Sequence, residues 1–484
     1  MRKLCVVFAL CFSFLVLPFT ACKNQTADKC LYKLDLAYAD GVLNGMLDFT
    51  YFNDTNTAIS ELKFNIFPNA YRNGAKYSPV STAHQAKAYY SGKSYGDMII
   101  NGVKNQSGDI NFSIGGQDQN ILLVPLESEV YPNEKANISI DFTVNLAKIN
   151  HRLGITQTTI NLGNFFPVLC AYDDGEGFYE CVYYSSGDPF YSTCADFEVD
   201  FSCKDTFTVA SSGKVKSAKN ENGKTTTKYI LKNARDFALV LSEKFEVITA
   251  NVCGVEVSYY YVSDQNPSKN LQYATKALET FTNLFGEYPY PTLAVVETGF
   301  LEGGMEYPAL VYISNSLEEK AYGEVIVHET AHQWWYGVVG NNQVKYGFLD
   351  EGLAEYSVVL FFENNPEYSL TRELMISSAE MTYQTFCTVY DRLFGLVDSS
   401  MLRSLGEFSS EYEYVNIAYI KGCLMFDYLR ETIGDKKFFD GLKKYYNSFA
   451  YQTVTPYDLV GVYERLGADA NGFFDSFYQG KVII

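Results

Sequence analysis

The sequence of 484 residues predicts a β + α/β multidomain protein, with an antiparallel β-sandwich-like N-terminal domain followed by a mainly helical domain. Short apolar runs alternate with polar residues up to about residue 250, as in 137–144, and Asn, Gly and Asp turns separate them. Helical spacing of apolar residues dominates from 318 onward. The chain is also too long for one compact core. We therefore predict domains at 31–250 and 251–484.

Several individual elements follow from local pattern. Turn residues at 211–213 and 220–224 predict two β-hairpins. A helix is expected from about Pro267 to Leu284. The run 324–336 is typical of a mostly buried helix, which we expect to end at the glycines that begin with Gly337.

The most informative motif is a pair of histidines in a chain that has four histidines in all. His328 and His332 are four residues apart, so on a helix they lie about 40° from each other around the axis and can bind one metal ion. Glu329 is turned about 100° away and can take a proton from the attacking water. A helix with these three residues is a signature of zinc-dependent peptide hydrolysis.

A second helix, expected over 349–360, supplies a third ligand, Glu351. Two histidines and one glutamate, with one position left open, are the catalytic pattern for a single Zn²⁺ per chain. Glu355 shares the helix face of Glu351. It is either a favourable acid near a helix N-terminus or a partner that orients a ligand histidine, and the sequence leaves both open.

These residues resemble the M1 family of zinc aminopeptidases, within the gluzincins. The segment 300–308, Phe-Leu-Glu-Gly-Gly-Met-Glu-Tyr-Pro, is similar to the family's exopeptidase motif. Tyr414 and 418–422 look like its pair of active-site tyrosines ahead of a Lys-Gly. The resemblance runs from about residue 31 to the C-terminus. It implies a thermolysin-like catalytic domain and a short form that lacks the C-terminal helical domain of longer relatives.

The resemblance also implies roles for the remaining site residues. Glu306 matches the carboxylate that binds the substrate ammonium, a charge-assisted contact. Tyr419 matches the hydrogen-bond donor that stabilises the oxyanion. The implied substrate-binding residues are Glu306, Gly303, Gly304, Met305 and Tyr414.

The sequence departs from the family pattern at several positions. Tyr307 stands where the commoner motif has Asn, Gly304 where it often has Ala, and Asp350 where Asn is frequent. Many relatives place another acidic or amide residue from the β domain near the substrate amine. The stretch 163–169 offers no counterpart, so we expect amine recognition to rest mainly on Glu306.

The N-terminus predicts export. A basic start and an apolar run over 4–21 are typical of a signal peptide at 1–21. The residues 19–22 resemble a bacterial lipobox, so we expect Cys22 to be lipidated, 22–30 to be a short linker, and the catalytic part to be anchored to the bacterial cell membrane outside the cytoplasm. An uncleaved anchor helix is the alternative, because the apolar run is just long enough to span a bilayer.

The net charge argues against certain binding partners, and the cysteine spacing argues against one kind of metal site. A net charge of −19 argues against nucleic acid as a partner and against electrostatic attachment to anionic lipid. No cysteine pair has CxxC spacing, which argues against a structural zinc site. An exported compartment allows disulfides, but the sequence does not give their pairing.

The leading hypothesis is a zinc-dependent aminopeptidase that hydrolyses N-terminal residues from peptides. A zinc endopeptidase with a more open cleft is the first alternative, and a catalytically silent peptide-binding lipoprotein is the second. The preferred N-terminal residue, the strictness of exopeptidase action and the oligomeric state stay open.

Overall fold

The protein structure is a computed structural model that describes residues 28–482. The predicted signal peptide and the predicted lipidation site, Cys22, lie outside the described residues. Within 28–482, the length and apolar content that a bilayer crossing requires are not combined in any helix. The predicted order of a β domain followed by a mainly helical domain is confirmed.

The first part of the chain is built almost entirely from strands. Its elements are β1 (Leu31–Ala39), β2 (Val42–Phe52), β3 (Ile59–Asn65), a 3-10 turn (Phe67–Tyr71), α1 (Gln85–Ala88), β4 (Asp97–Asn105), β5 (Gly108–Asp109), β6 (Ser113–Gly115), β7 (Ile121–Val130), β8 (Lys135–Asn145), β9 (Leu153–Ile155), β10 (Ile160–Leu162), β11 (Val168–Leu169), β12 (Tyr172–Asp173), β13 (Gly177–Phe178), β14 (Ala195–Lys204), β15 (Thr208–Ser211), β16 (Lys214–Glu221), β17 (Lys224–Ala234) and β18 (Leu239–Ser242).

These strands form one large sheet and several smaller ones. The eight-stranded sheet has the order β16-β17-β14-β1-β2-β8-β4-β5, and the two four-stranded sheets have the orders β15-β18-β10-β9 and β11-β3-β7-β6. Side chains of β1 alternate strictly between buried and exposed positions. The predicted strand at 137–144 lies within β8, which has the same alternation over most of its length. Period-two patterning therefore indicates which face of the large sheet is buried.

One of the two predicted hairpins is confirmed and the other is wrong. β16 and β17 pair around the turn at Asn222 and Gly223. At 211–213, however, the chain passes from β15 in a four-stranded sheet to β16 in the eight-stranded sheet. Gly213 lies against Tyr229, where an added Cβ would be 2.9 Å from the Tyr229 Cβ. This glycine permits close packing at a crossing between sheets, which local sequence cannot distinguish from a hairpin turn.

The second part begins with strands and continues mainly as helices. Its elements are β19 (Glu246–Val252), β20 (Val255–Tyr261), α2 (Pro267–Leu284), β21 (Thr292–Thr298), β22 (Gly304–Met305), β23 (Leu310–Ser314), α3 (Glu319–Ala331), β24 (Gly340–Asn341), α4 (Gln343–Tyr346), α5 (Phe348–Asn364), a 3-10 turn (Pro366–Tyr368), α6 (Arg372–Phe394), a 3-10 turn (Leu405–Glu407), α7 (Glu411–Tyr414), a π-helical segment (Val415–Lys421), α8 (Gly422–Ile433), α9 (Asp435–Phe449), β25 (Thr453–Val454), α10 (Pro456–Arg465) and α11 (Asn471–Tyr478).

A five-stranded sheet of order β19-β20-β21-β23-β22 supports this part. β19 is the first strand of this sheet along the chain, so the chain joins the second part at Glu246. The predicted domain boundary near residue 250 stays a prediction. The helix predicted at 267–284 is confirmed as α2, with Pro267 at its first turn, where a missing N–H costs nothing.

The helix α3 ends earlier than expected. It stops at Ala331, with His332 as its cap, whereas the sequence predicted that the helix would continue to Gly337. His332 keeps a helical backbone (φ −60°, ψ −16°), and its N–H donates to the His328 carbonyl at 3.2 Å. The four-residue relation between the two histidines therefore survives the earlier end of the helix.

Two glycines bring α5 against the segment that carries Tyr419. A Cβ added to Gly352 would be 2.9 Å from the Gly422 Cα, and one added to Gly422 would be 2.7 Å from the Gly352 Cα. Since real Cβ atoms do not approach backbone so closely, only glycine permits this helix contact. Gly352 directly follows the candidate ligand Glu351, so the contact positions both sides of the site.

Replacement of Gly422 by Ala should force α5 and α8 apart. We expect a destabilisation of about 1–3 kcal/mol, typical of overpacking, measured as a lower free energy of unfolding in urea. Gly472→Ala is the matched control, because an added Cβ at Gly472 meets no atom within 4 Å and alanine favours the helix. Equal stability of the two variants would contradict the packing argument.

Candidate active site

Three donor atoms from α3 and α5 converge on one point. The His328 and His332 Nε2 atoms lie 3.0 Å apart, and each lies 3.2 Å from the Glu351 Oε2 atom. Donors about 2.0 Å from one tetrahedrally coordinated ion would be separated by about 3.3 Å. The structure therefore brings together the three ligands that the sequence predicted, at the spacing that one zinc ion requires.

Hydrogen bonds behind the imidazoles set their orientation. The His332 Nδ1 atom lies 2.9 Å from the Trp335 carbonyl, and the His328 Nδ1 atom lies 3.1 Å from the Glu355 carboxylate. When each Nδ1 donates its hydrogen, each Nε2 presents a bare lone pair to the centre. Of the two roles that the sequence left open for Glu355, this contact supports orientation of a ligand histidine.

The ionisation of these groups shows that the site favours positive charge. Burial alone would lower the pKa of His328, but Glu351 and Glu355 outweigh it and raise the pKa to about 10. The same histidines hold the pKa of Glu351 well below its usual range, against the opposing effect of burial. A divalent cation bound where the lone pairs converge would supply this positive charge, so the residues fit a zinc ion.

Glu329 lies beside the three donors with a carboxylate that is only partly engaged. Burial raises the pKa of Glu329 to about 8, while a nearby cation favours its ionised form. Its Oε2 atom is buried and has no hydrogen-bond partner among the described residues. A Cβ on Gly304 would meet the end of the Glu329 side chain, so the exopeptidase-like loop packs directly against the proposed base.

The two tyrosines occupy different positions. Tyr419 lines the cavity, and its ring stacks on His328 with 5.9 Å between centroids. Burial, together with the Glu351 carboxylate, raises the pKa of Tyr419, so its hydroxyl keeps a proton to donate. Tyr414 is buried, contacts the Tyr419 ring edge-on, and packs its hydroxyl against Gly347. It is not among the described residues that line the cavity.

Glu306 is buried and held by a neutral donor. The Gln343 side-chain amide donates to Glu306 Oε1 at 2.8 Å and to Asp350 Oδ2 at 2.7 Å. Asp350, which departs from the family's frequent Asn, thus shares one amide with Glu306. One carboxylate oxygen of Glu306 stays available on the cavity side for a cationic partner.

The structure adds a carboxylate that sequence reasoning missed. Asp188, from the loop before β14, lines the same cavity as Glu306 and pairs with the buried Arg152 at 2.6 Å. Burial and the neighbouring Glu306 carboxylate raise the pKa of Asp188. Its sequence context, Gly-Asp-Pro, is typical of any turn. The only functional signal in the sequence at this position is that the side chain is a carboxylate.

These side chains share one cavity of about 240 Å³. Its lining comprises Asp188, Glu302, Gly303, Gly304, Glu306, Glu324, Val325, His328, Glu329, His332, Glu351, Glu355, Val358 and Tyr419. Met305 is buried behind the loop and accepts a contact from Arg152 Nε on its sulfur at 3.1 Å. A larger cavity of about 680 Å³ elsewhere contains none of these candidate residues.

Comparisons with known proteins show which proteins the catalytic part is similar to. Residues 269–477 match the model of the Peptidase family M1 domain. A segment of 202 residues is 27% identical to Aminopeptidase B of Rattus norvegicus and covers 38% of this chain and 29% of that protein. A segment of 192 residues is 25% identical to Leukotriene A-4 hydrolase of Xenopus laevis, covering 39% of this chain and 30% of that protein. The alignments thus span about three tenths of these relatives.

Among solved structures, the M1 zinc metallopeptidase from Deinococcus radiodurans superposes with a TM-score of 0.66 at 18% identity. The match covers 94% of this chain and 95% of that chain, so the two share the complete arrangement of a β domain and a helical domain.

Proposed function

We propose that this chain is a zinc-dependent aminopeptidase of peptidase family M1 that hydrolyses N-terminal residues from peptides, because residues 269–477 match the domain of that family. One observation carries the proposal. The three converging donors, the carboxylate of Glu329 and the amine-facing carboxylate of Glu306 line a single cavity. Related proteins named as aminopeptidases support the same activity.

His328, His332 and Glu351 would hold the zinc ion. When bound, zinc polarises the scissile carbonyl and makes a water molecule more acidic. Glu329 takes the proton of the attacking water and later delivers it to the leaving amine. Tyr419 donates its hydroxyl hydrogen to the oxyanion that forms at the carbonyl carbon.

The carboxylates beside the zinc ligands favour exopeptidase action. A peptide bound with its first carbonyl at the metal holds its free ammonium on the same residue, separated from the carbonyl carbon by the α-carbon alone, so Glu306 and Asp188 of the same cavity are candidate partners for it. Pairing of an ammonium with a fixed carboxylate orients the scissile bond. An endopeptidase would need room for residues ahead of the cleaved bond, whereas Glu306 and Asp188 are buried carboxylates that line this cavity.

The location of the enzyme is a separate proposal. The basic start, the apolar run over 4–21 and Cys22 support an exported lipoprotein that is anchored to the bacterial cell membrane. Incorporation of a labelled fatty acid into the wild type, lost in Cys22→Ala, is the expected result; equal labelling of both would contradict it.

Replacement of Glu329 by Gln tests the proposed base. The amide cannot accept the proton, so kcat should fall by about 10²–10⁴-fold while zinc content stays near one ion per chain. Glu324→Gln, on the same helix, removes a carboxylate that has no catalytic role in this scheme and is the matched control. Retained turnover in the Glu329 variant, measured with aminoacyl substrates, would refute the assignment.

Replacement of Glu306 by Gln tests the amine contact. The amide can still accept the hydrogen bond from Gln343, but it loses a charge-assisted contact worth about 1.5–3 kcal/mol. We expect kcat/KM on peptides with a free N-terminus to fall by about one to two orders of magnitude.

An N-acetylated peptide is the control for this variant, because it has no ammonium to lose. Its slower cleavage should hardly change in Glu306→Gln. If blocked and unblocked peptides slow equally, Glu306 is not the amine anchor. Equal cleavage of both peptides by the wild type would favour the endopeptidase alternative.

A further inference from the structure

The turn that follows α3 has a strained backbone. Tyr336 is buried and has a φ of 126°, a conformation that residues other than glycine rarely adopt. It lies four positions after the zinc ligand His332. A strained residue persists only where the surrounding contacts enforce its conformation, and such residues are concentrated at functional sites. The contacts that hold this turn therefore bear on the zinc site.

The strained residue directly follows the carbonyl that orients a zinc ligand. The His332 Nδ1 atom lies 2.9 Å from the Trp335 carbonyl oxygen, which belongs to the peptide group shared with Tyr336. The N–H of the same peptide group donates to the Val339 carbonyl at 2.8 Å. Because a peptide group is planar, rotation about φ of Tyr336 would turn the Trp335 carbonyl as well. The orientation of the His332 ring is thus coupled to the backbone of this turn.

A guanidinium from the β domain binds the turn at the next carbonyl. Arg235, between β17 and β18, is buried, and its Nε atom donates to the Tyr336 carbonyl at 2.8 Å. Its other N–H groups donate to four neutral oxygens: the Ser192 carbonyl at 2.8 Å, the Thr453 hydroxyl at 3.3 Å, the Val338 carbonyl at 3.5 Å and the Gln452 carbonyl. All five N–H groups of the side chain therefore have acceptors.

The shape of the arginine side chain matters at this position. Its planar guanidinium presents donors in fixed directions, so it can bind the turn on one side and the Gln452 carbonyl on the other. A lysine has a single nitrogen for all its donors and cannot span the same acceptors. Gly340 packs directly against the guanidinium, which an added Cβ would overlap. The surroundings therefore fix Arg235 in place, and Arg235 in turn fixes the Tyr336 carbonyl.

We propose that Arg235 is a positioning residue for the zinc ion. It holds the strained turn so that the Trp335 carbonyl fixes the His332 ring, with Nε2 directed at the point where the three ligands converge. The inference rests on the zinc site of the proposed function. Partners behind a ligand histidine set its orientation, and their loss weakens metal binding. Zinc affinity thus depends on a residue of the β domain that does not contact the metal.

Arg235→Met tests the proposal, because it removes all five donors and keeps an unbranched side chain. We expect the dissociation constant for Zn²⁺, measured by competition with a chromophoric chelator, to rise by about ten-fold. Arg430→Met is the matched control. Arg430 is another buried arginine, but its ion-pair partners, Glu363 and Asp435, do not belong to this turn. The control should keep the wild-type dissociation constant even where its melting temperature falls.

Loading the proteins with Co²⁺ distinguishes a misplaced ligand from a loss of stability, because the visible absorption bands of Co²⁺ report its coordination geometry. The bands should shift in Arg235→Met and stay unchanged in Arg430→Met.

A wild-type dissociation constant or a wild-type Co²⁺ spectrum in folded Arg235→Met overturns the proposal, as does an equal rise of the dissociation constant in both variants. If Arg235→Met does not fold, Arg235→Lys, which keeps the charge but cannot span the acceptors, is measured in the same way and decides by the same outcomes. Failure of the wild type to bind zinc would instead reject the zinc site of the proposed function.

Discussion

The lone pairs of His328 Nε2, His332 Nε2 and Glu351 Oε2 meet at separations of 3.0–3.2 Å, and without a cation between them they would repel one another. The packing of the rest of the catalytic part follows from the need for a cation between these three atoms. α3 and α5 are packed so that both present polar groups inward from otherwise buried faces. Such burial is tolerable because a metal compensates the charge and the hydrogen bonds to Trp335 and Glu355 complete each imidazole.

Close backbone approach is the second condition for this site. Gly304 allows the substrate loop to lie against Glu329, and Gly352 with Gly422 allows α5 to contact the segment that carries Tyr419. These glycines therefore connect base, ligand and oxyanion donor through packing. The negative cavity that results suits a ligand with a free ammonium.

The sequence predicts the parts of this site that depend on local geometry. The spacing of His328 and His332 needs only one turn of helix, and the order of β and helical domains follows from the period of the apolar residues. The partnership of Asp188 and Arg152 could not be predicted, because it joins distant loops of the β domain. For the same reason the hairpin predicted at 211–213 is wrong: its glycine serves a contact with Tyr229, which is far along the chain.

The location of the metal tests the account most directly, because His332 belongs to two overlapping donor sets, one with His328 and Glu351 and one with Glu306 and Asp350. Diffraction from crystals of zinc-loaded protein at the zinc absorption edge distinguishes them. The account predicts one anomalous peak about 2.0–2.2 Å from His328, His332 and Glu351, with Glu306 and Asp350 joined through Gln343 and beyond ligand distance. No peak at this point, or a peak between Glu306, His332 and Asp350, would contradict it.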